Sequence, residues 1–207
     1  MFLRDAALSF PFVYEAFQKL VGKFGLSRLK LYSRYLPYAP GTKVLDLGCG
    51  PGTSVKYFKP DDYLGIDIDE SYIKYAQDHF PNNKFILGDF SDPCRLGLEK
   101  ESYDLVFAMG LFHHLDDSLA QLFMKNSFDL LKPNGRLVCI DGCHDKTQPK
   151  LAQKITLKDR GRFIRTPSKI IELAASTGFQ VQHHIEPHVY LIPYTTIVLT
   201  LTKPSNQ

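Results

Sequence analysis

The residues best suited to chemistry begin in one run, Val44-Leu45-Asp46-Leu47-Gly48-Cys49-Gly50-Pro51-Gly52, where an apolar strand pattern meets three closely spaced glycines. Glycines there let the backbone turn sharply and approach a ligand closely. A helix beginning just beyond offers free N–H donors to an anionic group. Asp67 ends the next apolar run, Leu64-Gly65-Ile66-Asp67, about 20 residues after the loop, where a carboxylate can accept both hydroxyls of a ribose. Asp89, in Leu87-Gly88-Asp89-Phe90, follows a third run and can accept from an exocyclic amine such as that of adenine. Phe90 would add apolar surface or a backbone donor beside the ring. A nucleoside-binding loop is the expected chemistry. It is not shaped for a dinucleotide, because Thr53 occupies the third position of the G-x-G-x-x-G/A fingerprint.

A second group of residues could move protons. His113 and His114 follow a fourth apolar run, and Asp141 and His144 follow a fifth, so all four are expected at the carboxyl edge of a sheet, where open α/β sheets bind ligands. His183 and His184 are neighbours on a strand and face opposite sides, which argues against a shared metal, and no metal site is expected there or at Cys139, Cys143 and His144. Lys158, Arg160, Arg162 and Arg165 crowd around Gly161, where they could grip a carboxylate or phosphate on a substrate.

Positioning these groups requires a parallel sheet. Strands are expected at 43–47, 63–67, 84–87, 104–108 and 136–140, and helices at 54–58, 70–80 and 116–131, with an irregular piece near 92–100. This alternation implies crossover connections. Asp69, just before Glu70 and Ser71, reads as a helix N-cap, and Lys132-Pro133-Asn134-Gly135 as a stop. A helix is expected from Pro149 to Lys158 and another from Pro167 to Ser176, ended by Gly178, before β-rich runs at 179–185 and 190–202. Upstream, an apolar period over 11–36 suggests two helices divided near Gly22 and Gly25.

The chain has 207 residues, which suits one α/β domain. A net charge of +3 is too weak a basic balance to argue for nucleic acid by itself. Four cysteines, Cys49, Cys94, Cys139 and Cys143, have no zinc-finger spacing, and Cys49 and Cys139 read as small core residues, which fits a reducing, cytoplasmic setting. Asp5, Pro11 and Glu15 break the early apolar residues, so no secretory signal is expected, and no apolar stretch reaches the ~20 residues of a membrane span.

Residues 44–52, 65–67 and 88–90 resemble the nucleoside-binding motifs of class I S-adenosylmethionine-dependent methyltransferases. Tyr103–Met109 with His113-His114-Leu115, and Leu130–Leu137, resemble that family's fourth strand and its entry to the fifth. The resemblance covers about residues 42–140 and the closing β-hairpin. It implies an α/β, three-layer Rossmann-like sandwich whose seven-stranded, mostly parallel sheet has its last strand antiparallel. It also implies that S-adenosyl-L-methionine is the cofactor, with Gly48 and Gly50 lining its methionine part, Asp46 beneath, and Asp67 on the ribose. Ile68 would pack on adenine, Asp89 and Phe90 would read the adenine edge, and Met109 would lie near the sulfonium.

The expected organisation is a single methyltransferase domain over 1–207. Residues 1–36 form a helical cap, in which Tyr14 and Gln18 would cover the cofactor, 42–141 the cofactor-binding core, and 145–165 an acceptor lid. The expected reaction is in-line methyl transfer to a small or medium-sized metabolite, with His113 or His114 as base where the acceptor must lose a proton. Arg160, Arg162, Arg165 and His144 would contact that acceptor, whose charge the arginines suggest is negative. The competing readings are a nucleic-acid or protein methyltransferase, disfavoured because no Asn/Asp-Pro-Pro-Tyr motif follows the fourth strand, and a catalytically silent S-adenosylmethionine-binding protein. A nicotinamide-dependent oxidoreductase is disfavoured by Thr53.

Overall fold

The computed structural model describes residues 26–36, 38–145, 148–157, 161–187, 189–190 and 192–205. The first of the two N-terminal helices, with Tyr14 and Gln18, lies outside them. The second is α1, Leu26–Tyr35. Strands β1 (Val44–Leu47), β2 (Tyr63–Asp67), β3 (Lys84–Leu87), β4 (Tyr103–Met109), β5 (Leu131–Gly142), β6 (Gln180–Glu186) and β7 (Thr196–Thr202) form one sheet in the order β3-β2-β1-β4-β5-β7-β6. β1 to β5 are mutually parallel, and β7 runs antiparallel to both β5 and β6. The expected seven-stranded sandwich is the one observed. Strand order reverses at β1, which lies between β2 and β4, so the crossovers leave a crevice at the carboxyl ends of β1 and β4.

Alternation along the buried strands builds a core on each face. Leu45, Leu47 and Val106 face α3 (Asp117–Leu130) and α5 (Pro167–Ala175), where Phe123, Met124, Ile170 and Leu173 meet them. Val44 and Phe107 face the other way, toward Leu31 and Tyr32 of α1 and Ile73 and Ala76 of α2 (Glu70–His79). Asp69 caps α2 as expected, accepting from the N–H of Ser71 at 2.8 Å. Asp116 caps α3, accepting from Leu119 at 2.8 Å. Helix α4, Lys150–Leu157, lies within the expected lid. Among the described residues no helix is long and apolar enough to cross a membrane.

Three elements depart from expectation. The helix after the glycine loop is only a 3-10 turn, Val55–Tyr57, because Pro60 pushes Lys59 into an extended conformation at ψ 144. Lys132-Pro133-Asn134-Gly135 does not separate helix from strand. β5 begins at Leu131, and these four residues make a bulge in it, with Asn134 at φ +64 and a register shift between Tyr103 and Leu105. The last strand starts at Thr196 rather than at 190, since Pro193 has no N–H to give a ladder.

Candidate active site

The glycine loop closes the carboxyl end of β1. Gly48 and Cys49 donate to the carbonyl of Ile66 at 2.8 and 3.0 Å, which folds the loop over the end of β2. Gly50 has φ +55, the left-handed region, and a Cβ built there would meet nothing within 4 Å. The loop is therefore open on the side a ligand would use. Gly52 is needed for the opposite reason, since a Cβ would lie 2.9 Å from the Phe85 ring and 3.0 Å from Ala76.

Asp67 ends β2 facing that loop. Its Oδ2 accepts from Gly50 N–H at 2.8 Å and its Oδ1 from Asp69 N–H at 2.9 Å, so each oxygen is fixed in direction while keeping acceptor capacity. Burial raises its pKa, and the Asp69 and Gly50 amides counter that. Ile68, next in sequence, is 71% exposed, an apolar surface beside the carboxylate. Asp89 is exposed at the end of β3 and holds the Ser91 N–H at 2.8 Å. The Phe90 ring turns inward, edge-on to Phe123 at 5.5 Å, so its part toward a ligand would come from its backbone.

Asp46 lies beneath the loop at 2% exposure. Tyr63 Oη donates to its Oδ2 at 2.7 Å. The register explains how Tyr63 reaches it. Asp46 pairs with Gly65, and a Cβ on Gly65 would stand 2.9 Å from the Tyr63 hydroxyl. The missing side chain is the gap through which the phenol passes. Burial pushes the Asp46 pKa up to about 7, against the opposing pull of Tyr63, Arg28 and Ser54. Met109, at the end of β4, accepts at its sulfur from Tyr32 Oη at 3.4 Å.

His113 sits in a 3-10 turn, Phe112–His114, just after β4. Its Nδ1 pairs with Asp141 Oδ1 at the end of β5. Asp141 also accepts from the backbone of Phe112 at 2.7 Å, His113 at 3.3 Å and Gly142 at 2.8 Å. One carboxylate thus ties the two strand ends together and sets the imidazole's orientation. Gly161 packs on the His113 ring, where a Cβ would overlap Cδ2. His114 is exposed, its ring 4.1 Å from that of His113.

The basic residues divide. Arg160 lies outside the described residues, and Arg162 is exposed. Arg165 does not offer itself to a substrate. It is 8% exposed and donates to Asp117 at 2.9 Å, to the carbonyls of Phe112 at 3.2 Å, Phe163 at 3.0 Å and Leu115 at 2.6 Å, and lies over the Phe112 ring. It is a staple that fastens residues 161–166 onto the His113 turn, aided by Phe163 N–H on the His113 carbonyl at 3.0 Å. The expected acceptor grip by Arg165 is corrected on this ground: a fork directed at fixed protein acceptors has no donor set left to recognise another anion. His144 donates its backbone N–H to the Arg165 carbonyl at 2.9 Å and so flanks the same staple.

The structure brings Asp46, Gly48, Gly50, Asp67, Ile68 and Met109 to one edge, with His113 and Asp141 adjacent along it. Sequence reasoning overlooked Tyr63, Ser54 and Tyr32. Gly65 was the available signal for Tyr63, since a glycine inside a strand marks a close approach.

Comparison with known proteins agrees with this geometry. Residues 44–135 match a family model described as a methyltransferase domain. Phosphoethanolamine N-methyltransferase 3 of Arabidopsis thaliana is 26% identical over 160 residues, 75% of this chain but 32% of that protein, so the chain spans well under half the length of such relatives. Phosphoethanolamine N-methyltransferase 2 of Haemonchus contortus, solved with phosphomonomethylethanolamine and S-adenosylhomocysteine, superposes with a TM-score of 0.73 at 14% identity, over 98% of this chain and 59% of that one. A SAM-dependent methyltransferase of Methanosarcina mazei does so with a TM-score of 0.67 at 18% identity, over 85% of this chain and 98% of that one. The sheet order, the loop at its reversal point and the domain match converge: residues 44–135 match a methyltransferase domain, and the chain shares its fold with solved S-adenosylmethionine-dependent methyltransferases.

Proposed function

We propose that this chain binds S-adenosylmethionine at the carboxyl edge of β1, β2 and β4 and transfers its methyl group to a small or medium-sized metabolite. The observation that carries the reading is Asp67. Gly50 and Asp69 aim its two oxygens across an open glycine loop, beside the bare face of Ile68. Two directed acceptors suit the paired hydroxyls of a ribose, and an exposed isoleucine suits the face of adenine. Asp89 and the Phe90 backbone stand where the adenine edge would end, and Gly48, Gly50 and Asp46 surround the place for the methionine part.

When bound, the cofactor supplies a methyl group activated on a cationic sulfur. The protein's part is to align the acceptor and, where the acceptor carries a proton, to remove it. His113, oriented by Asp141, is the residue for that task, with exposed His114 beside it. Residues 42–141 then form the cofactor half of the domain, α1 belongs to a cap over it, and 145–165 form the acceptor side. The relatives named for phosphoethanolamine support a small-metabolite acceptor, and Arg162 remains on the described surface as a contact for an anionic group.

Calorimetric titration with S-adenosylmethionine and S-adenosylhomocysteine, with NAD and NADH as controls, tests the reading. Micromolar binding of the first pair alone is expected. Failure of both to bind would overturn it.

A further inference from the structure

Helix α1, Leu26–Tyr35, lies outside the matched segment 44–135, yet it reaches the candidate site at two points. Arg28 Nη1 donates to the hydroxyl of Thr53, the residue that follows Gly52. Tyr32 Oη donates to Met109 Sδ at 3.4 Å, at the end of β4. The two residues are four apart, so they share one face of the helix and lie about 6 Å apart along its axis. That face runs from the end of β4 to the far side of the glycine loop. The helix is seated without Arg28: Leu31 and Tyr32 are 1 and 3% exposed, Ser27 donates to the Val189 carbonyl, and Arg34 pairs with Glu186 at 2.9 Å.

Charge is what Arg28 adds there. Its guanidinium opposes the rise that burial forces on the pKa of Asp46, Tyr32 and Tyr57, in keeping with a positive charge near all three. The only basic residue between Val44 and Phe58 is Lys56, which is exposed and lies over the Tyr57 ring at 5.5 Å. The methionine end of S-adenosylmethionine carries an ammonium and a carboxylate. Asp46 has the charge for the first and Arg28 for the second. Their order along the edge fits as well. Tyr32 and Met109 mark the sulfur's end, and Arg28 lies one helical turn farther, as the carboxylate lies beyond the sulfur along the methionine chain. A guanidinium fork suits a carboxylate, and Thr53 Oγ, while accepting from Arg28, has a proton of its own to donate.

We propose that Arg28 receives the carboxylate at the methionine end of the cofactor, with the Thr53 hydroxyl, which Arg28 orients, as a second donor to it. This rests on the S-adenosylmethionine reading above. It makes α1, and not the glycine loop alone, part of the cofactor site. It also gives the site a preference for a nucleoside thioether ending in an α-amino acid over one ending in an amine alone.

The experiment measures affinity for S-adenosylhomocysteine and for its decarboxylated analogue, which keeps the amine, by calorimetry, with circular dichroism to confirm folding. Arg28→Ala should bind S-adenosylhomocysteine about 10- to 100-fold more weakly, one charge-assisted contact being lost. The same variant should bind the decarboxylated analogue as well as the wild type does or better, since a cation that repels its amine is gone. Arg28→Met, which keeps an apolar stem, carries the test if Arg28→Ala does not fold. A folded variant with wild-type affinity for S-adenosylhomocysteine overturns the proposal. So does one that loses the same factor for both ligands, which would make Arg28 a brace for the loop. The cofactor reading stands in either case. A wild type that binds neither S-adenosylmethionine nor S-adenosylhomocysteine ends both.

Discussion

The backbone N–H of Gly50 points at Oδ2 of Asp67 from 2.8 Å, so the loop after β1 and the end of β2 are joined by one hydrogen bond to a carboxylate. Removing the carboxylate in Asp67→Ala should unhook the loop and remove the proposed ribose contacts together. A loss of about 1–3 kcal/mol in binding free energy is expected, roughly 5- to 150-fold in affinity. Titration with S-adenosylhomocysteine checks it, and unchanged affinity would sink the ribose assignment.

Two glycines in the same loop should respond oppositely. Gly50→Ala places a methyl in open space, so its cost to folding is the left-handed backbone alone, about 1–2 kcal/mol, while the methyl protrudes into the ligand side. Gly52→Ala drives a methyl into Phe85 and Ala76 and should cost about 1–3 kcal/mol more. Urea midpoints beside cofactor titrations separate them: the first variant should fold and bind poorly, the second should unfold early.

Asp46 makes the stability of the ligand-free protein depend on pH. Its folded pKa, about 7, stands above the ordinary carboxylate value of 3.8. Its contribution is therefore fully present below about pH 4 and is lost as pH rises through about 7. Asp46→Asn keeps an acceptor for Tyr63 and has no charge to bury. The melting temperature of the variant minus that of the wild type should increase from pH 5 to pH 8. A flat difference would show that burial does not penalise the charge.

Arg165 should behave as a structural residue. Arg165→Ala leaves the carbonyls of Phe112 and Leu115 without their donor, and about 2–4 kcal/mol of stability should be lost. Arg165→Lys should rescue little, because an ammonium cannot span Asp117 and three carbonyls as the fork does. Asp117, whose side chain is 54% exposed, should matter less. Denaturation curves of the three variants give the order.

For His113, the proposed base, replacement by Ala should lower turnover of a proton-bearing acceptor by about 100-fold or more and leave S-adenosylhomocysteine affinity near wild type. Gly161→Ala should mimic it in part, since the new methyl displaces the imidazole. Turnover measured beside affinity would refute the assignment if the two fell together.

The sequence by itself determined the strands and strand ends of the half where the cofactor is proposed to bind. Val44–Gly52, Asp67 and Asp89 were legible because each sits where an apolar strand run stops, and period-two runs, glycines and acidic residues are local signals. β2 and β3 fall where they were expected, and α2 ends one residue short of its expected limit. What local signals missed depended on neighbours distant in the chain. The 3-10 turn at Val55–Tyr57 ended early because of Pro60, and the Lys132–Gly135 stop became a bulge because β4 was there to pair with it. Only the tertiary structure decided that Arg165 is a staple, 50 residues from the Leu115 carbonyl it holds, while Arg162 faces outward. It alone decided which histidine meets Asp141, and it alone put Tyr32 and Tyr63 beside Asp46. The reason is common to these cases. A strand or cap is set by residues a few positions apart, whereas the partner of a buried charge is set by which strands lie side by side, and that order exists only once the sheet has formed.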